Sequence, residues 1–424
     1  MARGRHIRHD NGGQRNGALH HVIMAAIAVI VVVALAVGIG MWRQRTQNNA
    51  ANSQTSASKT SADVKSSTKT PSVSATTQST EERAASIVNS MSTEEQVGQL
   101  VMAPLFAGSD ASSISAAITE QHVGSVLIIG NWNTGAETVR QATKQLQSYA
   151  TGKSKLIIAT DQEGGSVQHL TGTGFDTMPS AVQQGTMTVE HLQKSAAIWG
   201  SQLNKAGIDV DLAPVLGTVT VNRDTNAPVG ALNRDFGLDA KGNADHGIAF
   251  VKGMRESGVE TSIKHYPGLG SVTGNTDFTT QGILDTTTTL DGEEIGAFDR
   301  AIREAKPSMV MMALATYQAI DASNPAVFSS KIVNDHIRGD LGYNGVVISD
   351  SMSAAALGGV QASELGVRLV EAGGDIACIG DSTYVQPILD GLNAKAKSDP
   401  TFASKVKQSA QRVIALKINM GLMK

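Results

Sequence analysis

Cysteine is almost missing from this chain of 424 residues. Cys378 is the only one, which rules out an internal disulfide and any cysteine metal cluster. Set in the apolar run GDIACIG, its thiol reads as a small core residue. Excess charge of either sign is missing too. The net charge is -3 and the pI is near 6.4, and no basic domain stands out to bind nucleic acid. No Walker sequence occurs, and no GxGxxG joins a strand to a helix. His265 has no second His or Cys at ligand spacing, so neither a zinc site nor any cofactor is expected.

The N-terminal fifth differs from the rest. Val22 to Met41 carries no charge, and a run of roughly twenty apolar residues spans a bilayer as a helix. Arg3, Arg5, Arg8 and Arg15 precede it, while Arg43 and Arg45 follow. The larger basic cluster on the amino side predicts an N-terminus inside and the bulk of the chain outside. A cleaved signal peptide is the rival reading, but its apolar region is normally shorter and ends in a small-x-small site. Gln47 to Thr80 is rich in Ser, Thr, Ala, Asn and Lys, with little to bury, and reads as a flexible tether. The expected organisation is a basic cytoplasmic tail (1–21), a transmembrane anchor (22–42), a Ser/Thr-rich linker (43–80) and an extracytoplasmic folded domain (81–424).

In that domain Ser92 and Glu95 form a capping-box pattern that opens a helix. Short apolar runs then recur at Gln99–Phe106, Val123–Gly130, Lys155–Gly165, Val210–Gly217, Glu260–Gly268, Ser308–Thr316, Gly345–Asp350 and Gly374–Gly380. Each is bounded by Gly or polar residues, as strands buried on both faces are. Between them lie stretches such as TVRQATKQLQSYA and EIGAFDRAIREAK, with apolar positions three and four apart. This alternation predicts a single (β/α)₈ barrel. A doubly wound sheet is the alternative, weakened because KHYPGLGSVTGNTDF offers only GxGxxxG and opens no helix.

In a barrel, chemistry sits where the strands end. The third run reaches Asp161 and Glu163, the fourth leads on to Asn222 and Arg223, the fifth to Lys264 and His265, and the seventh to Asp350. Isolated buried charge is costly, so charged groups at one rim imply a ligand or one another. Carboxylates, a Lys-His pair, an Arg and many hydroxyls suit sugars, whose glycosidic bonds are broken by carboxylates.

The stretches ATDQEGGSVQHL, DLAPVLG, NRDFG, IKHYPGLG and VVISDSMS, in this order, resemble the successive motifs of glycoside hydrolase family 3. They are most similar to its β-N-acetylhexosaminidase branch, whose members are typically a barrel without the α/β sandwich domain of many β-glucosidases. The resemblance runs from residue 85 to 422. It implies that Asp350 is the nucleophile of a retaining mechanism, that Asp161 accepts hydrogen bonds from sugar hydroxyls, and that Lys264, His265 and Arg234 bind sugar. The implied partner is a glycan containing N-acetylglucosamine; β-glucosidase-like specificity and a non-catalytic carbohydrate-binding module are the alternatives.

The chain departs from that branch where the acid/base is expected. The branch commonly reads GHG and then Asp-Ser-His after the fifth strand; here Leu269 replaces the first His, and Asn275, Thr276 and Asp277 align with the triplet. Ser166 replaces an arginine and Gly217 an aspartate. Asp277 is the first candidate for acid/base, a carboxylate from elsewhere or a water the second, and loss of the proton donor the third. Gly268, Gly270 and Gly274 suggest either a mobile lid carrying Asp277 or simply a long loop. Trp132 is placed either to stack on a sugar or to pack at the rim.

Overall fold

The structure is a computed structural model that describes residues 78–423. The expected membrane segment and all but the end of the linker lie outside the described residues. Among the described residues no helix is long and apolar enough to cross a membrane. The first described helix, Thr80–Asn89, is closed by a capping box between Ser79 and Glu82. The Ser92 pattern does the same for Thr93–Gly98: the Glu95 amide donates to Ser92 Oγ at 3.2 Å, and Ser92 N donates to Glu95 Oε2 at 2.7 Å.

Eight parallel strands follow in sequential order around one sheet. They are β1 (Val101–Phe106), β2 (Ser125–Ile129), β3 (Ile157–Thr160), β4 (Val210–Asp211), β5 (Glu260–Tyr266), β6 (Met309–Met312), β7 (Val346–Ser349) and β8 (Ala377–Cys378). β8 pairs back onto β1, and a bridge between Ile348 and Ile376 joins β7 to the start of β8, so the sheet is nearly closed. Helices follow the strands in turn, including Ala136–Tyr149 after β2, Val189–Lys205 before β4, Ala240–Glu256 before β5 and Glu293–Ala305 before β6. In the last of these Ile295, Phe298, Ala301, Ile302 and Ala305 are buried, at the spacing of one helical face.

Strand alternation divides the core in two. Val101, Ala103, Leu105, Val126, Ile128, Val310 and Val347 point outward beneath the helices, while Met102, Leu127, Ile157, Ala159, Met309, Met311, Val346 and Ile348 fill the lumen. Cys378 belongs to the lumen, and burial pushes its thiol well up, so it is a packing residue as expected. Val413 and Leu416 of the C-terminal helix, Pro400–Asn419, join the lumen cluster. The chain after that helix returns to the start of β3, where Lys155 N donates to Leu422 O at 2.9 Å. That packing leaves the strands' C-terminal ends free for a site.

All eight strands are shorter than their apolar runs, and the fourth and eighth shrink to two residues each. In the fourth, Pro214 has no N–H to donate, and pairing resumes only at Val215, opposite Lys264. The long loop after β5 also differs from a lid. Asn226 Nδ2 donates to Leu269 O at 2.8 Å and to Val272 O at 2.7 Å, and Thr220 N donates to Gly270 O at 3.0 Å. A Cβ on Gly270 would lie 1.7 Å from Thr218 O, and one on Gly274 would lie 1.9 Å from Gln281 O. These two glycines therefore permit close backbone approach. They fasten the loop instead of loosening it.

Gly270→Ala accordingly lowers stability by about 1–3 kcal/mol, the usual cost of overpacking. Gly296 sits on an exposed helical face with nothing within 4 Å of its missing Cβ; Gly296→Ala raises stability by about 0.5–1 kcal/mol. Urea midpoints of the two variants measure the contrast.

Candidate active site

Asp161, Arg234, Lys264, His265, Asp277 and Asp350, drawn from five separate segments, line one cavity of about 460 Å³ at the C-terminal ends of the strands. Its floor is the top of the barrel lumen. Leu127 of β2, Leu212 just after β4, Met311 of β6 and Cys378 of β8 lie there, which is the alternate-strand pattern of a barrel layer.

Asp161 follows β3 directly, Lys264 and His265 lie within β5, and Asp350 follows β7 directly. The Lys264–His265 peptide is cis. Lys264, almost fully buried, bonds Asp161 and also reaches Glu163 Oε1 at 2.7 Å. Glu163 in turn holds Arg234 through two bonds, Nε to Oε2 at 2.9 Å and Nη2 to Oε1 at 2.7 Å. Arg234 Nη1 donates to Pro228 O at 2.8 Å. Four charges thus alternate in sign along one chain of contacts.

Electrostatics follow from this arrangement. Burial would raise the Glu163 carboxyl, but Arg234 and Lys264 together hold it well below the usual range. Burial would lower Lys264, and Asp161 and Glu163 more than reverse that. His265 is pushed well down by burial and by the positive charges of Arg234 and Lys264, so its imidazole is neutral. Its Nε2 lies 3.8 Å from Asp350 Oδ2, which is then no ion pair, and Nδ1 has no partner among the described residues.

Asp350 Oδ1 accepts from Ser351 N at 2.8 Å. Its carboxyl is pushed up to about 7, first by burial and then by the negative charge of Asp277. Asp277 is raised as well, by the desolvation of its surroundings and by Asp161, against the pull of Arg234 and Lys264. It remains exposed toward the loop surface, whereas Asp350 lies deeper in the cavity. Asp277 is placed by backbone: Ala355 N donates to Asp277 O at 3.2 Å and Ala356 N to Thr276 O at 3.0 Å. The loop after β5 is thereby pinned to the segment after β7, and two carboxylates face one cavity. A carboxylate whose charge raises its neighbour favours a pair that keeps one proton between them.

Other expectations fare differently. Asn222 caps a short turn, and Arg223 holds buried Asp235 through two bonds at 2.7 and 2.9 Å; neither lines the cavity. Trp132 is buried with Nε1 bonded to Ile129 O at 3.1 Å, a packing role away from the cavity. His169 enters unforeseen, with Nε2 3.9 Å from Asp161 Oδ2. It lies on the return of a hairpin whose Gln162 side chain bonds Leu170 twice, at 2.8 and 3.0 Å. The stretch ATDQEGGSVQHL contained it, just past the third apolar run, but a hairpin reversal is not visible in the residues alone. Asp211, fully buried beneath the site, orients Gln162 N at 3.0 Å.

The profile of the glycosyl hydrolase family 3 N-terminal domain matches residues 92–416. The chain belongs to glycosyl hydrolase family 3. It is 31% identical over 319 residues to the beta-hexosaminidase LpqI of Mycobacterium tuberculosis, covering 73% of this chain and 79% of that protein. Among solved structures, the beta-N-acetylhexosaminidase from Beutenbergia cavernae is similar with a TM-score of 0.74 and 41% identity, over 77% of this chain and 98% of that one. A family 3 beta-N-acetylglucosaminidase from Paenibacillus is similar with a TM-score of 0.70 and 28% identity, over 78% of this chain and 63% of that one. Membership in a family of glycoside hydrolases makes the chain a hydrolase of the class that its carboxylate-lined cavity suits.

The carboxylate pair predicts a pH profile. A carboxyl raised to about 7 keeps its proton below that pH and loses it above. With an unactivated alkyl glycoside, whose leaving oxygen needs a proton, kcat/KM of the wild type falls as pH rises through about 7, where the pair gives up its last proton. Asp277→Asn loses that alkaline fall, because only ionised Asp350 is then needed. A fall unchanged in the variant contradicts the pairing.

Proposed function

We propose that the protein is a retaining β-N-acetylhexosaminidase that releases terminal β-linked N-acetylglucosamine from cell-wall fragments or other glycans. The observation that carries this reading is the meeting of Asp350 and Asp277 on one cavity, beside the array of Asp161, Lys264, Glu163 and Arg234. Similarity to proteins named for N-acetylhexosaminidase and N-acetylglucosaminidase activity supports the choice of sugar.

In this mechanism an Asp350 oxygen attacks the anomeric carbon as the bond to the leaving oxygen breaks, and Asp277 gives its proton to that oxygen. The resulting glycosyl ester on Asp350 is opened by water, whose proton returns to Asp277. Two inversions leave the configuration retained. Asp161 keeps Oδ2 free of Lys264 and can accept from a sugar hydroxyl, while the ammonium of Lys264 donates nearby. Neutral His265 can hydrogen-bond without competing for the negative charge of Asp350.

The full chain is to be assayed on matched 4-nitrophenyl and alkyl β-N-acetylglucosaminides and on the 4-nitrophenyl β-glucoside. The N-acetylglucosaminide is the preferred substrate, and Asp350→Asn abolishes turnover. Asp277→Asn slows the alkyl glycoside about 10²- to 10⁴-fold, the worth of general acid catalysis, and the nitrophenyl glycoside far less. Preference for the glucoside supports the alternative specificity. Sugar binding with no cleavage of either supports a binding module.

A further inference from the structure

Phe278 is 81% exposed, and Leu232 is 40% exposed. Both line the same cavity as Asp277 and Asp350, so both stand at its mouth. Phe278 follows Asp277 on the turn that Ala355 and Ala356 pin, and Phe278 N donates to Asn275 O at 3.1 Å. Leu232 ends the turn Gly230–Leu232, two residues before Arg234. A phenyl ring held in water by a fixed backbone, beside the residue proposed to protonate the leaving oxygen, points to what lies beyond that oxygen.

We propose that Phe278 and Leu232 form the aglycone subsite and that it takes a neutral pyranose, a second N-acetylglucosamine, over an acidic one. This rests on the proposed reaction and deepens it. The buried part of the cavity carries the polar array that suits the departing sugar, whereas the mouth offers apolar surface. A pyranose presents C–H groups on its faces, and an aromatic face covers them at little entropic cost because the ring has only two rotatable bonds.

Charge argues for neutrality. The carboxylates facing the cavity are Asp161, Asp277 and Asp350, and the cations are Arg234 and Lys264, with His169 beside Asp161. Both cations are held at depth by Glu163, and Lys264 by Asp161 as well. A carboxylate on the aglycone would meet the negative charge that Asp277 and Asp350 keep between them, with no unengaged Lys or Arg among the lining residues to balance it.

The test measures kcat/KM of the full chain for N,N′-diacetylchitobiose, for methyl β-N-acetylglucosaminide and for a β-N-acetylglucosaminyl disaccharide whose second sugar carries a carboxylate. The neutral disaccharide is preferred over the acidic one. Phe278→Ala lowers the ratio of diacetylchitobiose to methyl glycoside about three- to tenfold, the worth of one stacking contact, chiefly through KM. Phe278→Trp restores it. An unchanged ratio in the alanine variant, or preference for the acidic disaccharide, overturns the subsite. If the wild type cleaves none of the three, the reaction reading fails by itself and calorimetry judges the subsite. Diacetylchitobiose then binds more tightly than N-acetylglucosamine by a margin that Phe278→Ala removes; equal affinities overturn it.

Discussion

The candidate site is organised around the buried contact between Lys264 and the two carboxylates of Asp161 and Glu163. It ties the end of β3 to β5 across the barrel mouth, and through Glu163 it fixes Arg234 on a distant loop. An ammonium with almost no exposure is tolerable only with its counter-charges in place. Removing one partner of such a buried pair costs about 3–5 kcal/mol, because the charge left behind is uncompensated. The same positive charges lower His265 and offset part of the burial cost at Asp277 and Asp350. One ion array therefore sets both the shape of the cavity and the protonation of what lines it.

A second constraint is the loop after β5. Its glycines allow backbone to lie against backbone, and its far end is bonded to the segment after Asp350. A carboxylate on an untethered lid would have to find its position in each catalytic cycle. Asp277, the proposed proton donor, is placed on this loop before substrate arrives, which is the condition under which such a group is most effective. Leu269, where the sequence resemblance led to an expected histidine, is buried in this loop, packed in the core and lining the cavity. Two imidazoles reach the cavity, His265 from β5 and His169 from a different hairpin.

The barrel was legible because its strands are buried on both faces and read as continuous apolar runs. The site was legible where polar residues end such runs, as at Asp161, Lys264, His265 and Asp350, since barrel topology brings strand ends together. Arg223 and Trp132 met the same description and are absent from the cavity: one is consumed by Asp235, the other turned inward to bond Ile129 O. Strand-end position says nothing about such local partners. Phe278 and His169 were hidden for the converse reason, because a turn and a hairpin decide their direction. The role of Gly270 needs the tertiary approach of Thr218, which has no signature in the residues around either one.

The central claim is that Asp350 forms a covalent bond to the sugar, and trapping that bond tests it directly. A fluorinated β-N-acetylglucosaminyl donor with an activated leaving group slows the breakdown of a glycosyl ester enough for peptide mass analysis of the digested enzyme. The account predicts one adduct of a single sugar on the peptide containing Asp350, absent in Asp350→Asn. An adduct on another residue, or turnover of the donor with inverted configuration and no adduct, would contradict it.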